Sequence, residues 1–335
     1  MNRIFLLAMV VCVSRLVAAE TDDQGLPQVP SDFKVTVYAA EPLVRNPCAM
    51  AFDVQGRLFV GQGPQYRKPN PDSPTDRVTL LIDVDQDGIA DHAKTFAEGF
   101  NNIQGLAWYG DQLWIANAPD LTVVRDVDGD DVADEYRRIY GGIGNLEHAL
   151  HGLSFAPDGW LYMSKGNSKG YGRIDSPERF LAPAPFFDLW GMQLPKNAPM
   201  QPEPEVFSRE TYQHGYHNPS DDWGTEGGVL RCRPDGTQLE VFSRGMRNTW
   251  DINFDADFNW VGTDQDQDGG DRVLNPFFNA HFGWGHAWSP HWTGDDHVPT
   301  VPICGPVFHG SGTGVVFGAS PQFPARYRDA FFCAD

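Results

Sequence analysis

Short apolar runs alternate with acidic or glycine-rich turns along most of the chain, and the alternation recurs. Residues 78–82 read as a β-strand, 83–91 as an Asp-rich turn and 94–96 as part of a second strand, followed by Gly105-Leu106-Ala107-Trp108 and the strand at 112–116. The next stretch repeats that order at 121–125, 126–134, 135–140, Gly152-Leu153-Ser154-Phe155 and 160–163. Asp83 to Asp126 is an offset of 43 residues, and Trp108 to Phe155 one of 47. Shorter copies of the strand–turn–strand core stand at 50–52 with 57–60, at 252–254 with 259–261, and from Val315. Apolar strands joined by Asp-Gly-type turns form antiparallel hairpins. A period in the forties with about four strands per unit predicts the blades of a β-propeller. No sustained 3.6-residue periodicity supports a helical repeat, which leaves a plain β-sandwich as the competing architecture. Phe155 to Phe254 spans 99 residues. That length predicts one blade carrying an insertion at about 168–226, a stretch rich in Pro, Gly and aromatics.

Composition sharpens this all-β reading. The 335 residues include 35 Gly and 26 Pro, which load the chain with turns and argue against a helical bundle. Hydrophobic residues are 41% and aromatics 13%, enough for a packed core. Asp plus Glu total 45 against 25 Lys plus Arg, a formal charge of −20, which argues against a nucleic-acid partner. The N-terminus reads as a signal peptide: Arg3, an uncharged apolar run at 4–13, and Val17-Ala18-Ala19 before Glu20. Residues 1–19 would be removed, leaving the propeller domain at 20–335 in the periplasm or outside the cell. The apolar run is too short to span a bilayer, and no later run is longer, so no transmembrane span is expected. The remaining cysteines, Cys48, Cys232, Cys304 and Cys333, have spacings that fit neither a zinc knuckle nor covalent c-type haem. Export permits disulfides and leaves the pairing open.

The repeat register also nominates chemistry. Aligning the units on Phe52, Trp108, Phe155 and Phe254 puts Arg45, Asn101, His148 and Arg247 seven positions earlier. Asn46, Asn102, Ala149 and Asn248 stand six positions earlier. In a propeller, equivalent positions entering the innermost strands face one end of the central axis, so these residues are expected to ring a pocket. The plainer role for them is to cap strands and close the ring. His148 could take a proton near neutral pH, with His151 three residues on, and Arg247 could hold a carboxylate or an oxyanion.

Asp83, Asp85, Asp87 and Asp91 place oxygens at positions 1, 3, 5 and 9 of a loop that could wrap calcium. A second copy runs Asp126, Asp128, Asp130 and Asp134, with Asp131 where the turn glycine would stand. A third begins Asp264, Asp266, Asp268. Strands flank all of them, which excludes a helix–loop–helix EF-hand; acidic turns that cap their own backbone are the alternative. The His- and Trp-rich stretch at 281–297 could bind a metal, stack on a sugar, or simply cover one end of the propeller.

These residues resemble a known family. The run from His148 and His151-Gly-Leu-Ser-Phe-Ala-Pro-Asp158-Gly-Trp-Leu-Tyr162, then Gly245-Met-Arg247-Asn248 and Phe282-Gly-Trp284, is similar to the soluble quinoprotein glucose/sorbosone dehydrogenases. More closely, the chain resembles the secreted "membrane-bound dehydrogenase" propellers of planctomycetes, whose entry strand looks like Phe33–Pro42 here. The resemblance implies a six-bladed propeller, incomplete at its C-terminus because 325–335 reads as part of a fifth blade. It implies pyrroloquinoline quinone (PQQ) and calcium in an axial pocket, a sugar or alcohol substrate and an external electron acceptor. His148 and Arg247 would be catalytic, with His148 as the base. Arg45, Asn101, Asn102, His151 and Asn248 would line the cofactor. Two competing functions are a metal-dependent lactonase, which needs an axial carboxylate, and a non-catalytic propeller that binds carbohydrate or protein.

Overall fold

The computed structural model describes residues 26–64, 66, 74–141, 143–144, 147–168, 204–212, 227–265, 271–278, 280–284, 307–308 and 312–334. The signal-peptide stretch, Cys304, Asp266, Asp268, most of the expected insertion and most of 281–297 lie outside those residues. The chain divides into two units, Met1–Tyr38 and Ala39–Asp335. In the first, a turn at 31–32 is closed by Phe33 N donating to the Pro30 carbonyl at 2.8 Å. Every named strand belongs to the second.

That second unit is all-β among its described residues, with one short 3-10 turn at Ala325–Tyr327, and it is built as four propeller blades. The first blade is β1 (Pro47–Phe52), β2 (Leu58–Gln62), β3 (Asp76–Ile82) and β4 (His92–Phe100), paired in that order. The second is β5 (Ile103–Tyr109), β6 (Gln112–Asn117), β7 (Asp120–Arg125) and β8 (Glu135–Tyr140). The third opens with β9 (Leu150–Phe155) and β10 (Leu161–Lys165). The chain then leaves it, and β11 (Glu205–Ser208) pairs with β8 at the outer edge of the second blade. The third blade resumes with β12 (Gly227–Cys232) and β13 (Glu240–Met246). The fourth is β14 (Asn248–Phe254), β15 (Trp260–Gln265), β16 (Asp271–Leu274) and, after β17 (Ala280–His281) has paired parallel to β13, β18 (Val307–Phe308). A further hairpin follows, β19 (Val315–Phe317) with β20 (Phe331–Cys333). Six blades are therefore not what the described residues contain: they hold four and this hairpin.

The hairpins start in one register. Phe52 pairs with Leu58, Trp108 with Leu113, Phe155 with Leu161, Phe254 with Trp260 and Phe317 with Phe331. The innermost strands lie side by side in the order β1, β5, β9, β14, β19. Three hydrophobic cores fill the spaces between blades. One joins the first and second blades around Phe59, Phe96, Leu106 and Tyr136. Another joins the second and third around Trp114, Leu153, Leu161 and Leu230. The last joins the third and fourth around Tyr162, Phe242, Ile252 and Trp260. Because a middle strand is covered on both faces, β6 and β7 are almost wholly buried and read as continuous apolar runs.

The inner strands approach so closely that two positions admit only glycine. A Cβ on Gly105 would sit 1.8 Å from the His151 carbonyl oxygen, and one on Gly152 would sit 2.1 Å from Asp251 Oδ1. Just ahead of β1 and β5, Asn46 and Asn102 adopt the left-handed conformation at φ 48° and 50°, which asparagine tolerates better than most residues. Both stand six positions before the aligning aromatic, so the register holds at backbone level.

Candidate functional site

His148 lies in the turn before β9 and is 5% exposed. Its Nδ1 is 2.5 Å from Asn167 Oδ1. An amide oxygen only accepts, so Nδ1 carries the proton, which leaves Nε2 as the nitrogen that can hold a lone pair. Asn167 is itself pinned, its N–H donating to the Arg247 carbonyl at 2.7 Å, and its neighbour Gly166 forms a β-bridge with Asn248.

The Arg247-Asn248 turn is folded around one carboxylate. Asp264 accepts from Asn248 N at 2.8 Å and from Arg247 N at 3.3 Å, and its charge is met by Arg272 Nη2 at 3.2 Å. From there a chain of bonds crosses blades. His151 Nε2 donates to Asn248 Oδ1 at 2.8 Å. Asn248 Nδ2 donates to Gln265 Oε1 at 3.2 Å, and Gln265 Nε2 to the Gly312 carbonyl at 3.4 Å. His151 is fully buried and stacks on Trp250 with ring centres 4.2 Å apart. Burial pushes its pKa down to about 3 despite the Asn248 bond, so the ring is neutral and Nδ1 is a buried acceptor with no hydrogen-bond partner among the described residues.

Four of the seven axial candidates thus converge: His148, His151, Arg247 and Asn248, from the third and fourth blades. The other three stand at the entries of the first two. Arg45 is exposed and pairs with Glu41 at 3.5 Å. Asn101 is buried, with Nδ2 3.4 Å from the Ala118 carbonyl and Oδ1 without a partner among the described residues. Asn102 is buried, its carbonyl accepting from Ala118 N.

A second feature lies along the inner strands: a cavity of about 1060 Å³ whose lining includes Gln104, Trp250, Asp251, Thr313, Phe332 and Cys333. Asp251 breaks a pattern. Three positions before the aligning aromatic, the five inner strands carry Ala49, Gly105, Gly152, Asp251 and Gly314. Asp251 therefore puts the one carboxylate into a column of methyls and hydrogens. Its oxygens accept from Ile252 N at 2.8 Å and Val315 N at 2.9 Å, and burial still pushes its pKa up to about 7. Reading only the strand entries misses it; the odd residue in the glycine column is the signal that finds it. Among the described residues, Cys48, Cys232 and Cys333 are free thiols.

The first two acidic turns superpose at the 43-residue offset. Val84 N bonds Asp91 Oδ2 as Val127 N bonds Asp134 Oδ2, and Gly88 N bonds Asp83 Oδ2 as Asp131 N bonds Asp126 Oδ2. Gly88 at φ 88° and Asp131 at φ 62° share the left-handed corner. Asp131 stands in the glycine's place and uses its carboxylate on Arg57 at 2.5 Å. Asp83, Asp85 and Asp91 bring oxygens within 4.8 Å of one another, as do Asp126, Asp128 and Asp130. Asp87 is not of that trio, and its Oδ1 accepts from Ile89 N at 2.8 Å. Asp264 is placed differently. It lies within β15, is fully buried, and is bonded to Arg272 and the Arg247-Asn248 backbone, so it does not face outward with a turn.

This is a β-propeller with an inner-strand imidazole–amide cluster beside an axial carboxylate. No curated protein matches the chain. The sequence pattern of a family described as a domain of unknown function, DUF7133, matches residues 24–180. Among solved structures, the chain is similar to the PQQ-bound aldose sugar dehydrogenase of Streptomyces coelicolor: 16% identity, 82% of this chain, 72% of that one, TM-score 0.48. It is similar to the PQQ domain of pyranose dehydrogenase from Coprinopsis cinerea at 13% identity, 83% and 69% coverage and TM-score 0.49. It is also similar to the apo soluble aldose sugar dehydrogenase of Escherichia coli at 13% identity, 87% and 80% coverage and TM-score 0.49. The chain spans less than two thirds, 64%, of a matching chain from Thermus thermophilus. Among the described residues, no helix is long and apolar enough to cross a membrane.

Proposed function

We propose that this chain is an exported quinoprotein-like dehydrogenase, related to the secreted planctomycete propellers, that oxidises a sugar or alcohol and passes electrons to an external acceptor. One observation carries the reading: the Asn167 bond at Nδ1 makes Nε2 of His148 the basic nitrogen, beside the fixed Arg247-Asn248 turn. The residues fit PQQ by donor chemistry. The Arg247 guanidinium, whose Nη1 lies 3.5 Å from the Gln265 carbonyl, would also meet a carboxylate, and Asn248 has one amide hydrogen beyond the one given to Gln265. Bound there, PQQ would supply the hydride acceptor. His148 would take the substrate hydroxyl proton at Nε2. His151, held neutral, keeps a second positive charge away from that base and orients Asn248. The first acidic turn fits calcium: Asp83 belongs to its trio, and Asp83 Oδ1 is a buried oxygen without a hydrogen-bond donor among the described residues.

The test is dye-linked oxidation across a sugar and alcohol panel, with PQQ and calcium supplied. His148→Ala should lower turnover by about 10²–10⁴-fold; full turnover in that variant would remove His148 from the mechanism. A ligand that binds only the folded chain raises its melting temperature. Calcium should therefore raise Tm in wild type and less in Asp83→Asn/Asp91→Asn, and an equal rise in both would exclude the first turn.

Asp251 favours a second reading. A metal-dependent lactonase needs an axial carboxylate, and the strand entries hold only Arg, Asn and His, but Asp251 supplies one from within β14. Lactone hydrolysis dependent on a divalent cation and lost in Asp251→Asn, with no dye reduction, would support it over the first. Glycan binding with neither activity would support a binding propeller.

A further inference from the structure

Lys165 ends β10 and is wholly buried. A lysine is rarely placed so unless its ammonium is met by acceptors. Its Nζ donates to the Ser168 carbonyl at 2.9 Å, to Ser168 Oγ at 2.9 Å and to the Gly166 carbonyl at 3.2 Å. All three oxygens belong to the three residues that follow it. Ser168 Oγ in turn donates to the His148 carbonyl. Between these two anchored residues stands Asn167, whose side chain bonds His148 Nδ1 and whose N–H bonds the Arg247 carbonyl. The packing leaves little slack: a Cβ on Gly227 would lie 2.5 Å from the Lys165 carbonyl oxygen and 2.9 Å from that of Arg247. Burial also pushes the Lys165 amine well below its ordinary value.

We infer that Lys165 is a positioning residue for His148: it gathers the 166–168 turn around its amine so that Ser168 fixes the His148 backbone and Asn167 fixes the imidazole tautomer. The inference rests on the reading of His148 as the base, but its test does not need turnover. Lys165 reaches His148 through Ser168, which it bonds directly, and through Asn167, which is held between its two partners Gly166 and Ser168, so its loss should act on the ring's tautomer and not only on stability.

The experiment is long-range ¹H–¹⁵N correlation of imidazole-labelled apoprotein at about pH 9, where an ordinary imidazole is neutral. His148 is assigned by its absence in His148→Gln. Wild type should show His148 in the Nδ1–H form. Asn167→Ala, which removes the bond directly, should move the tautomer ratio by about fivefold or more. Lys165→Met and Ser168→Ala should move it in the same direction, with a cooperative melt retained. If Lys165→Met does not fold, Ser168→Ala decides, because it removes the hydroxyl that joins the Lys165 amine to the His148 carbonyl while leaving the lysine in place. Folded variants with the wild-type His148 tautomer would overturn the inference, as would an Asn167→Ala spectrum identical to wild type. Coupling without dye-linked turnover in wild type would retain the positioning role and reject the dehydrogenase reading.

Discussion

His151 and Asp251 have opposite effects on stability in nearly the same pH window. Burial holds His151 at about 3 against an ordinary 6.5, so below 6.5 the unfolded chain takes up a proton that the folded chain refuses. That contribution to stability is lost as pH falls from 6.5 to 3. Burial holds Asp251 at about 7 against an ordinary 3.8, so between those values the folded chain keeps a proton that the unfolded chain releases. Its contribution is lost as pH rises from 3.8 to 7. The two residues are linked through Trp250, which stacks on His151 and precedes Asp251 in sequence. Unfolding free energies from urea melts between about pH 4 and pH 7 separate them. Asp251→Asn minus wild type should become more positive as pH rises. His151→Gln minus wild type should become more positive as pH falls. The Asp251 swing should be roughly 1–2 kcal/mol, less than its full shift implies, because Asp251 faces a cavity open to water. Two differences sloping the same way would show that one of these groups does not titrate as its surroundings dictate.

At the scale of elements, the blades are tied by side chains that reach the next blade's backbone. β3 and β16 both begin with aspartate: Asp76 Oδ2 accepts from Ile103 N at 3.1 Å, and Asp271 Oδ2 from Gly312 N at 3.0 Å. Ile103 and Gly312 each stand five residues before the aligning aromatic, so one bond is used twice around the ring. Asp76→Ala or Asp271→Ala leaves a buried N–H without that acceptor and should cost about 1–3 kcal/mol in urea melts. The Asn variants keep an oxygen in place and should recover most of the loss; Asn variants as damaging as Ala would mean that charge, not the acceptor, matters. The hairpins and the acidic turns were legible in the sequence because their determinants are local: apolar runs, turn residues and a 43-residue offset that the bonds within each turn repeat. The site was legible only in part. His148, Arg247 and Asn248 follow from register, but what fixes them does not. The His151–Asn248 bond spans 97 residues, and the contribution of Lys165 depends on a turn whose own sequence carries no motif. Spacing alone groups Asp264 with Asp266 and Asp268 in a turn. β15 runs on through Gln265, and strand alternation points Asp264 inward, where Arg272 meets it.

Around the whole ring, equivalent positions do not have equivalent surroundings. Two residues before the aligning aromatic, Leu106, Leu153, Ile252 and Val315 are 6%, 8%, 0% and 5% exposed, whereas Met50 is 69% exposed. Leu106 belongs to the core shared with the first blade, Leu153 to that shared with the second, and Ile252 to that shared with the third. The position therefore faces the preceding blade, and no described blade precedes β1 at Met50. Phe52, on the same strand, is 61% exposed, and Val316, on β19, is 57% exposed. Truncation should expose the asymmetry. Leu106→Ala, Leu153→Ala and Ile252→Ala each remove packed methyls from an inter-blade core and should cost about 2–4 kcal/mol in urea melts. Met50→Ala, at the same register, should cost about 0.5 kcal/mol or less. A Met50→Ala loss as large as the other three would mean that β1 is covered in solution by something the described residues do not supply. Repeating the melt at several protein concentrations would then tell a second copy, whose contribution depends on concentration, from a segment of the same chain, whose contribution does not.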